Sequence, residues 1–168
     1  VKKVPAEGFI ICNPQDKNIA PVLEGAAAKI IDYMEFFKKD LMLLSKGEHN
    51  RKNAAAAIAV AHTAGFDSLK ATESLEKFAG TWRRFEYKGK TEKGALLYDD
   101  YGHHPTEVLA TLSGAREQFP DKKIIVVFQP HLYSRTKLLL DDFSHAFIDA
   151  DKVVLAPIYA AREPYDET

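Results

Sequence analysis

Lys123-Ile124-Ile125-Val126-Val127-Phe128 decides the fold class of this 168-residue chain. The run is apolar without alternation and too short for a helix, which suits a strand covered on both faces. Helical spacing lies on either side of it. Pro105–Phe119 carries Val108, Leu112, Ala115 and Phe119 on one stripe, and Ser134–Ile148 turns Leu139, Phe143 and Phe147 inward. Beyond these helices lie two more strand-like runs, Leu96–Tyr101 and Lys152–Pro157. Strand–helix–strand–helix–strand at this spacing predicts an α/β fold, Rossmann-like, with a mainly parallel sheet flanked by helices and right-handed crossovers. The chain stops at Thr168, soon after the third strand, so the sheet is expected to be incomplete.

Further upstream, Phe85–Lys88 and Ala95–Asp100 flank a Gly- and Lys-containing connection and predict a β-hairpin. Asn50 to Ala64 is a predicted helix with Ala54, Ala57, Ile58 and Ala61 at helical spacing and Gly65 as its stop. A second helix is expected from an N-cap at Asp67 to Phe78. The opening third reads as short strands at Gly8–Cys12, Lys29–Tyr33 and Leu41–Leu44, with a short helical stretch over 17–24. It starts without a cap or lead-in, as the tail of a preceding domain would.

Composition narrows the function classes. With 46% hydrophobic and 28% charged residues the chain is globular rather than disordered. The formal net charge of −1, from 23 basic and 24 acidic residues, argues against a nucleic-acid backbone as partner. The single cysteine, Cys12, excludes an internal disulfide and suits a reducing compartment. No apolar run nears the roughly 20 residues of a membrane helix, and no signal peptide is visible, so a cytoplasmic location is expected.

An open parallel sheet binds ligands beyond the carboxyl ends of its strands, and the chemically rich segments fall there. They are Asp99-Asp100-Tyr101-Gly102-His103-His104-Pro105, then Gln129 to Thr136, then Ile158 to Pro164. Together they hold three histidines, three tyrosines and two arginines, suited to a polar or anionic substrate. Blander roles compete. His104 followed by Pro105 and Glu107 is an ordinary helix start, Ser134 could be only a cap, and paired aspartates can solvate a turn. Adjacent histidines point apart and no zinc spacing accompanies them, so no metal site is expected. Asn50 and Asn53 share one side of the first helical turn, where paired amides can read a purine edge, although an isolated pair is more often a cap and a solvated neighbour. Gly89-Lys90-Thr91 lacks the glycine, strand and helix of a phosphate-binding loop. With no G-x-G-x-x-G, a dinucleotide oxidoreductase has only topology in its favour.

Taken together, Gly47-Glu48-His49-Asn50-Arg51-Lys52-Asn53-Ala54, Arg83-Arg84-Phe85, Tyr98–Glu107, Phe128–Thr136 and Ile158–Glu163 resemble the Mur ligase family, from about residue 47 to 163. Within it the motifs fit the member joining L-alanine to UDP-N-acetylmuramate better than a sister recycling ligase that attaches a tripeptide. A non-catalytic nucleotide-binding module of the same fold is the other alternative. The resemblance implies that residues 1–46 are the tail of a central ATP-binding domain and 47–168 a C-terminally truncated C-terminal domain. It implies an ATP- and Mg2+-dependent amide ligase with UDP-N-acetylmuramate, L-alanine and ATP as partners. His49, Asn50 and Asn53 match an adenine-binding motif. Arg84 and Asp99 or Asp100 match contacts to the ribose and phosphates. Tyr101, His103, His131 and Arg135 match loops approaching the alanine and the reacting carboxylate, with Arg135 suited to hold a carboxylate or phosphate. The family's glycine-rich ATP loop, magnesium ligands and UDP-binding domain would precede residue 1, so this chain alone is expected to lack ligase activity.

Overall fold

A computed structural model describes residues 1–165. It divides into two compact units, residues 1–44 with 48–79, and residues 45–47 with 80–168. Residues 48–79 group with the strand-rich opening, because their helices pack on it.

In the first unit β1 (Phe9–Cys12) runs parallel to β2 (Lys29–Asp32), with Phe9 opposite Lys29 and Cys12 opposite Asp32. The helix expected over 17–24 contracts to a 3-10 turn, Ala20–Leu23, with a proline in its first turn and no side-chain cap. A second 3-10 turn, Tyr33–Phe36, starts where the Asp32 carboxylate accepts the Met34 N–H at 2.8 Å. Leu41–Leu44 forms no strand; Leu41 instead goes into the core. Helix α1 (Glu48–Thr63) buries Ala54, Ala55, Ile58 and Ala59. That face is rotated from the expected one, leaving Ala57 exposed. Small side chains let α1 lie close against the second 3-10 turn, β1 and α2. Helix α2 (Ser68–Glu76) begins at Asp67, whose carboxylate accepts the N–H groups of Leu69 and Lys70 at 2.7 and 3.3 Å. A cap of this kind is worth about 1 kcal/mol.

The second unit opens with the expected hairpin, β3 (Glu86–Lys90) antiparallel to β4 (Leu96–Asp99), its register broken by a bulge between Tyr87 and Gly89. Then follow α3 (Pro105–Gln118), β5 (Ile125–Phe128), α4 (Tyr133–Leu138), α5 (Leu140–His145) and β6 (Lys152–Leu155). Strands β5 and β6 pair in parallel, Ile125 opposite Lys152 through Phe128 opposite Leu155. The three strands expected as one sheet therefore fall into two pairs among the described residues, because β4 takes its partner from β3.

Phe128 anchors the core, packed with Val108 and Leu112 from α3, Phe143 from α5 and Ala146 at the carboxyl cap of α5. Its ring lies 5.5 Å from that of Phe143 and 5.4 Å from that of Phe147. The opposite face of β5 is open, with Ile125 57% and Val127 71% exposed, so only one of the two expected faces is covered here. The helix expected over 134–148 breaks at Leu139 (φ −112°, ψ 20°), which packs against the core.

The strand starts are clasped by Arg116. Its guanidinium donates to the carbonyls of Lys122 (2.8 Å) and Asp149 (3.0 Å) and to the Asp151 carboxylate (2.7 Å), which also accepts the Ile124 N–H at 2.7 Å. The opposite, carboxyl ends of β4, β5 and β6 lead into the polar loops.

Candidate functional site

The loop after β4 is folded by carboxylates. Asp100 accepts the N–H groups of Phe85 (2.8 Å) and Gly102 (2.7 Å), so both its oxygens are committed to shaping the turn. Glu107, in the first turn of α3, accepts the N–H groups of His103 (2.9 Å) and His104 (3.1 Å) through one oxygen and the Arg84 guanidinium (3.4 Å) through the other. His104 is the helix N-cap, its ring accepting the Thr106 N–H at 3.3 Å, and with Glu107 it completes a capping box. Partial burial pushes the Glu107 carboxyl up, but the two N–H donors, with the neighbouring His103 and Arg84, outweigh it and hold it below the usual carboxylate range.

Arg83 sits inside the turn. Its Nε donates to Asp99 at 3.1 Å, its guanidinium lies 4.8 Å from the Tyr101 ring centroid, and its carbonyl accepts the Tyr101 N–H at 2.9 Å. Arg84 points the other way, toward Glu107, with its side chain 52% exposed. Nothing in the sequence separates two adjacent arginines. The cause is conformational, since Arg83 (φ 53°) and Phe85 (φ 48°) both adopt left-handed backbone without being glycine.

The loop after β5 carries His131 and Arg135. His131 forms a parallel bridge with Tyr159 from the loop after β6, Leu132 N–H donates to the Tyr159 carbonyl at 2.9 Å, and Tyr159 N–H donates to the Pro130 carbonyl at 2.8 Å. The Arg135 guanidinium reaches His131 Nδ1 at 3.5 Å. Leu132 holds φ 74°, a conformation costing a non-glycine residue on the order of 1–3 kcal/mol. The third loop is tied down by Glu163, which accepts both the hydroxyl and the N–H of Ser134 at the start of α4. The Ser134 hydroxyl holds the Glu163 carboxyl below its ordinary range. Glu163 and Glu107 organise the site yet stood in the sequence only as cap and motif residues; the signal for Glu107 was its place three residues after the N-cap, and none marked Glu163.

These ties bring the three loops together. The ring of Tyr101 lies 5.3 Å from that of His103, His103 lies 6.2 Å from His131, and His131 lies 5.5 Å from Tyr159. Tyr101, His103, His131 and Arg135, singled out separately, thus share one rim, with Tyr101 50% exposed. Arg162 is exposed in the third loop. Asp99 and Asp100 lie at the base, engaged by Arg83 and by backbone. His49, Asn50 and Asn53 lie in the other unit, in the first turns of α1, with Asn50 half-buried and Asn53 exposed. Among the described residues no three His, Cys, Asp or Glu side chains group as a metal site would require, and no helix is long and apolar enough to cross a membrane.

Comparison with known proteins bears on this rim. Residues 83–167 match the family model described as Mur ligase, glutamate ligase domain. A UDP-N-acetylmuramate–L-alanine ligase of Caldanaerobacter subterraneus is 40% identical, the match covering 95% of this chain and 40% of that protein. One from Desulfosudis oleivorans is 53% identical over 70% of this chain and 25% of its own length. The chain thus spans about two fifths or less of these relatives. The crystal structure of a UDP-N-acetylmuramate–alanine ligase from Thermotoga maritima superposes with a TM-score of 0.58 at 36% identity, covering 70% of this chain and 26% of that one. A murein peptide ligase from Psychrobacter arcticus, 22% identical with a TM-score of 0.58 over 93% of this chain and 45% of its own, shares the fold.

Proposed function

The chain belongs to the Mur ligase family, and from that premise we propose that it is part of an ATP-dependent amide ligase adding L-alanine to UDP-N-acetylmuramate. The observation that carries the reading is the unbroken line of rings from Tyr101 through His103 and His131 to Tyr159, with Arg135 beside it. Three loops meeting above rigid strand ends supply positioning and charge neutralisation, which amide formation from an acyl phosphate requires. In this reading ATP phosphorylates the sugar carboxylate and the alanine amine displaces phosphate. The guanidinium of Arg135 is planar and binds two oxygens at once, which suits the amino-acid carboxylate or the phosphoryl group.

His49, Asn50 and Asn53 are the adenine contacts in this reading, and Arg84, with its guanidinium over half exposed, faces phosphates. Asp99 and Asp100 contribute to the ribose side, and their existing bonds to Arg83 and to backbone orient them. Residues 1–46 are assigned to the tail of the ATP-binding domain and 47–168 to the C-terminal one. Magnesium ligands are assigned to the ATP-binding domain. The reading carries a cytoplasmic location, since the reaction consumes ATP. The full-length enzyme bearing this chain is expected to release ADP only when UDP-N-acetylmuramate and L-alanine are both present. ADP release with a tripeptide but not with L-alanine would instead assign the chain to a peptide-recycling ligase.

A further inference from the structure

The geometry points to Nε2 of His103 as the base that takes a proton from the α-ammonium group of the incoming amino acid, a role that rests on the ligase reading above. The assignment follows from the other ring nitrogen. Nδ1 lies 3.0 Å from the Tyr101 carbonyl oxygen. A carbonyl only accepts, so Nδ1 carries the hydrogen, and the neutral ring keeps its lone pair on Nε2. The Glu107 carboxylate lies 3.7 Å from the same Nδ1 and is held ionised by its N–H donors, so it faces the positive charge that proton uptake creates. The backbone that carries the ring is tied down, since the His103 N–H donates to Glu107 and the Tyr101 N–H to the Arg83 carbonyl.

His131, the other histidine of the rim, is arranged the opposite way. Its Nδ1 meets the Arg135 guanidinium at 3.5 Å, and a guanidinium only donates, so the lone pair of His131 faces a cation and its Nε2 carries the hydrogen. One histidine is set to accept and the other to donate. The charged and titratable groups around His103 are Glu107 from α3, Tyr101 from its own loop and His131 from the loop after β5. Arg83 lies over Tyr101, Arg84 on Glu107 and Arg135 on His131.

Nε2 takes one proton from the ammonium nitrogen, and the N–H electron pair stays on that nitrogen. The pair forms the C–N bond to the carbonyl carbon of the acyl phosphate. On collapse the C–O bond to phosphate breaks and its electron pair leaves with the phosphate, which takes the second proton from the amide nitrogen, while the imidazolium releases the first to solvent.

Two variants of the full-length enzyme and two acceptors test this. In His103→Asn the amide nitrogen sits where Nδ1 was and keeps the bond to the Tyr101 carbonyl, but no base remains. In His103→Gln the amide occupies the Nε2 region without the anchor. Both are expected to lose roughly 10²-fold or more in kcat with L-alanine, as removal of a general base does. The KM for L-alanine stays within about threefold of wild type, which marks a loss confined to the chemical step. Hydroxylamine is already neutral at neutral pH and needs no base, so both variants form the hydroxamate at the wild-type rate, which also shows that they fold. The assignment is overturned if His103→Asn keeps its kcat with L-alanine, or if hydroxamate formation falls as far as amide formation. A wild-type enzyme that makes hydroxamate from UDP-N-acetylmuramate but no L-alanine product overturns the ligase reading, and the base with it.

Discussion

Glu107 shows how one side chain can set several others. Its carboxylate caps α3, fixes the backbone of His103 and His104, and takes the Arg84 guanidinium. Glu107→Ala is expected to destabilise the protein by about 1 kcal/mol, the usual worth of a cap, because its side chain is only about one-third exposed. Glu107→Gln should recover most of that, since an amide oxygen accepts the same two N–H groups; urea denaturation of both variants checks the difference. This residue is legible in the sequence as half of a capping box. Its contact to Arg84 was not, because that pairing follows from the left-handed backbone at Arg83 and Phe85, which side chains other than glycine do not announce. The support that Arg83 gives Tyr101 was hidden for the same reason.

Among the elements, α3 is held at both ends. At its carboxyl end Arg116 and Asp151 join α3 to the starts of β5 and β6. The Ile124 N–H and the Arg116 guanidinium hold the Asp151 carboxyl below its ordinary value. A lowered folded-state pKa contributes stability that is present above the unfolded value and lost as pH falls through the folded one. Thermal melts below about pH 5 should therefore fall more steeply for wild type than for Asp151→Asn, which has no such carboxylate to protonate. Along the same helix Gly114 leaves room for the chain at Lys46 and Gly47, since a Cβ there would come 2.9 Å from the Lys46 carbonyl oxygen. Backbone cannot swing aside as a side chain can, so Gly114→Ala should cost about 1–3 kcal/mol despite alanine's better helix propensity, as calorimetry can show. Apolar periodicity foretold α3 and β5, which pack around Phe128, and also β6, which pairs with β5 yet keeps its residues exposed where a buried strand was expected. It foretold one helix after β5 where there are two, since a run of three leucines does not say which must turn inward. It also implied both faces of β5 covered, because an apolar run records what a strand is suited to meet rather than what lies against it.

Across the whole molecule the polar chemistry is divided between two units, the His49–Asn53 motif in the first and the aromatic rim in the second. The rim was legible because a parallel strand–helix–strand order puts successive strand ends on one edge, which is where Tyr101, His131 and Tyr159 meet. The packing of the alanine-rich α1 onto β1 and α2 was less so, because small side chains do not name the element they meet. Steady-state kinetics of His131→Ala in the full-length enzyme, with L-alanine as the varied substrate, probes the meeting of these loops most directly. His131 links the first loop to the third, so kcat/KM for L-alanine should fall by roughly 10²-fold, the scale on which misplaced reacting groups lose rate. A value within about twofold of wild type, a difference worth well under 1 kcal/mol, would contradict a shared site.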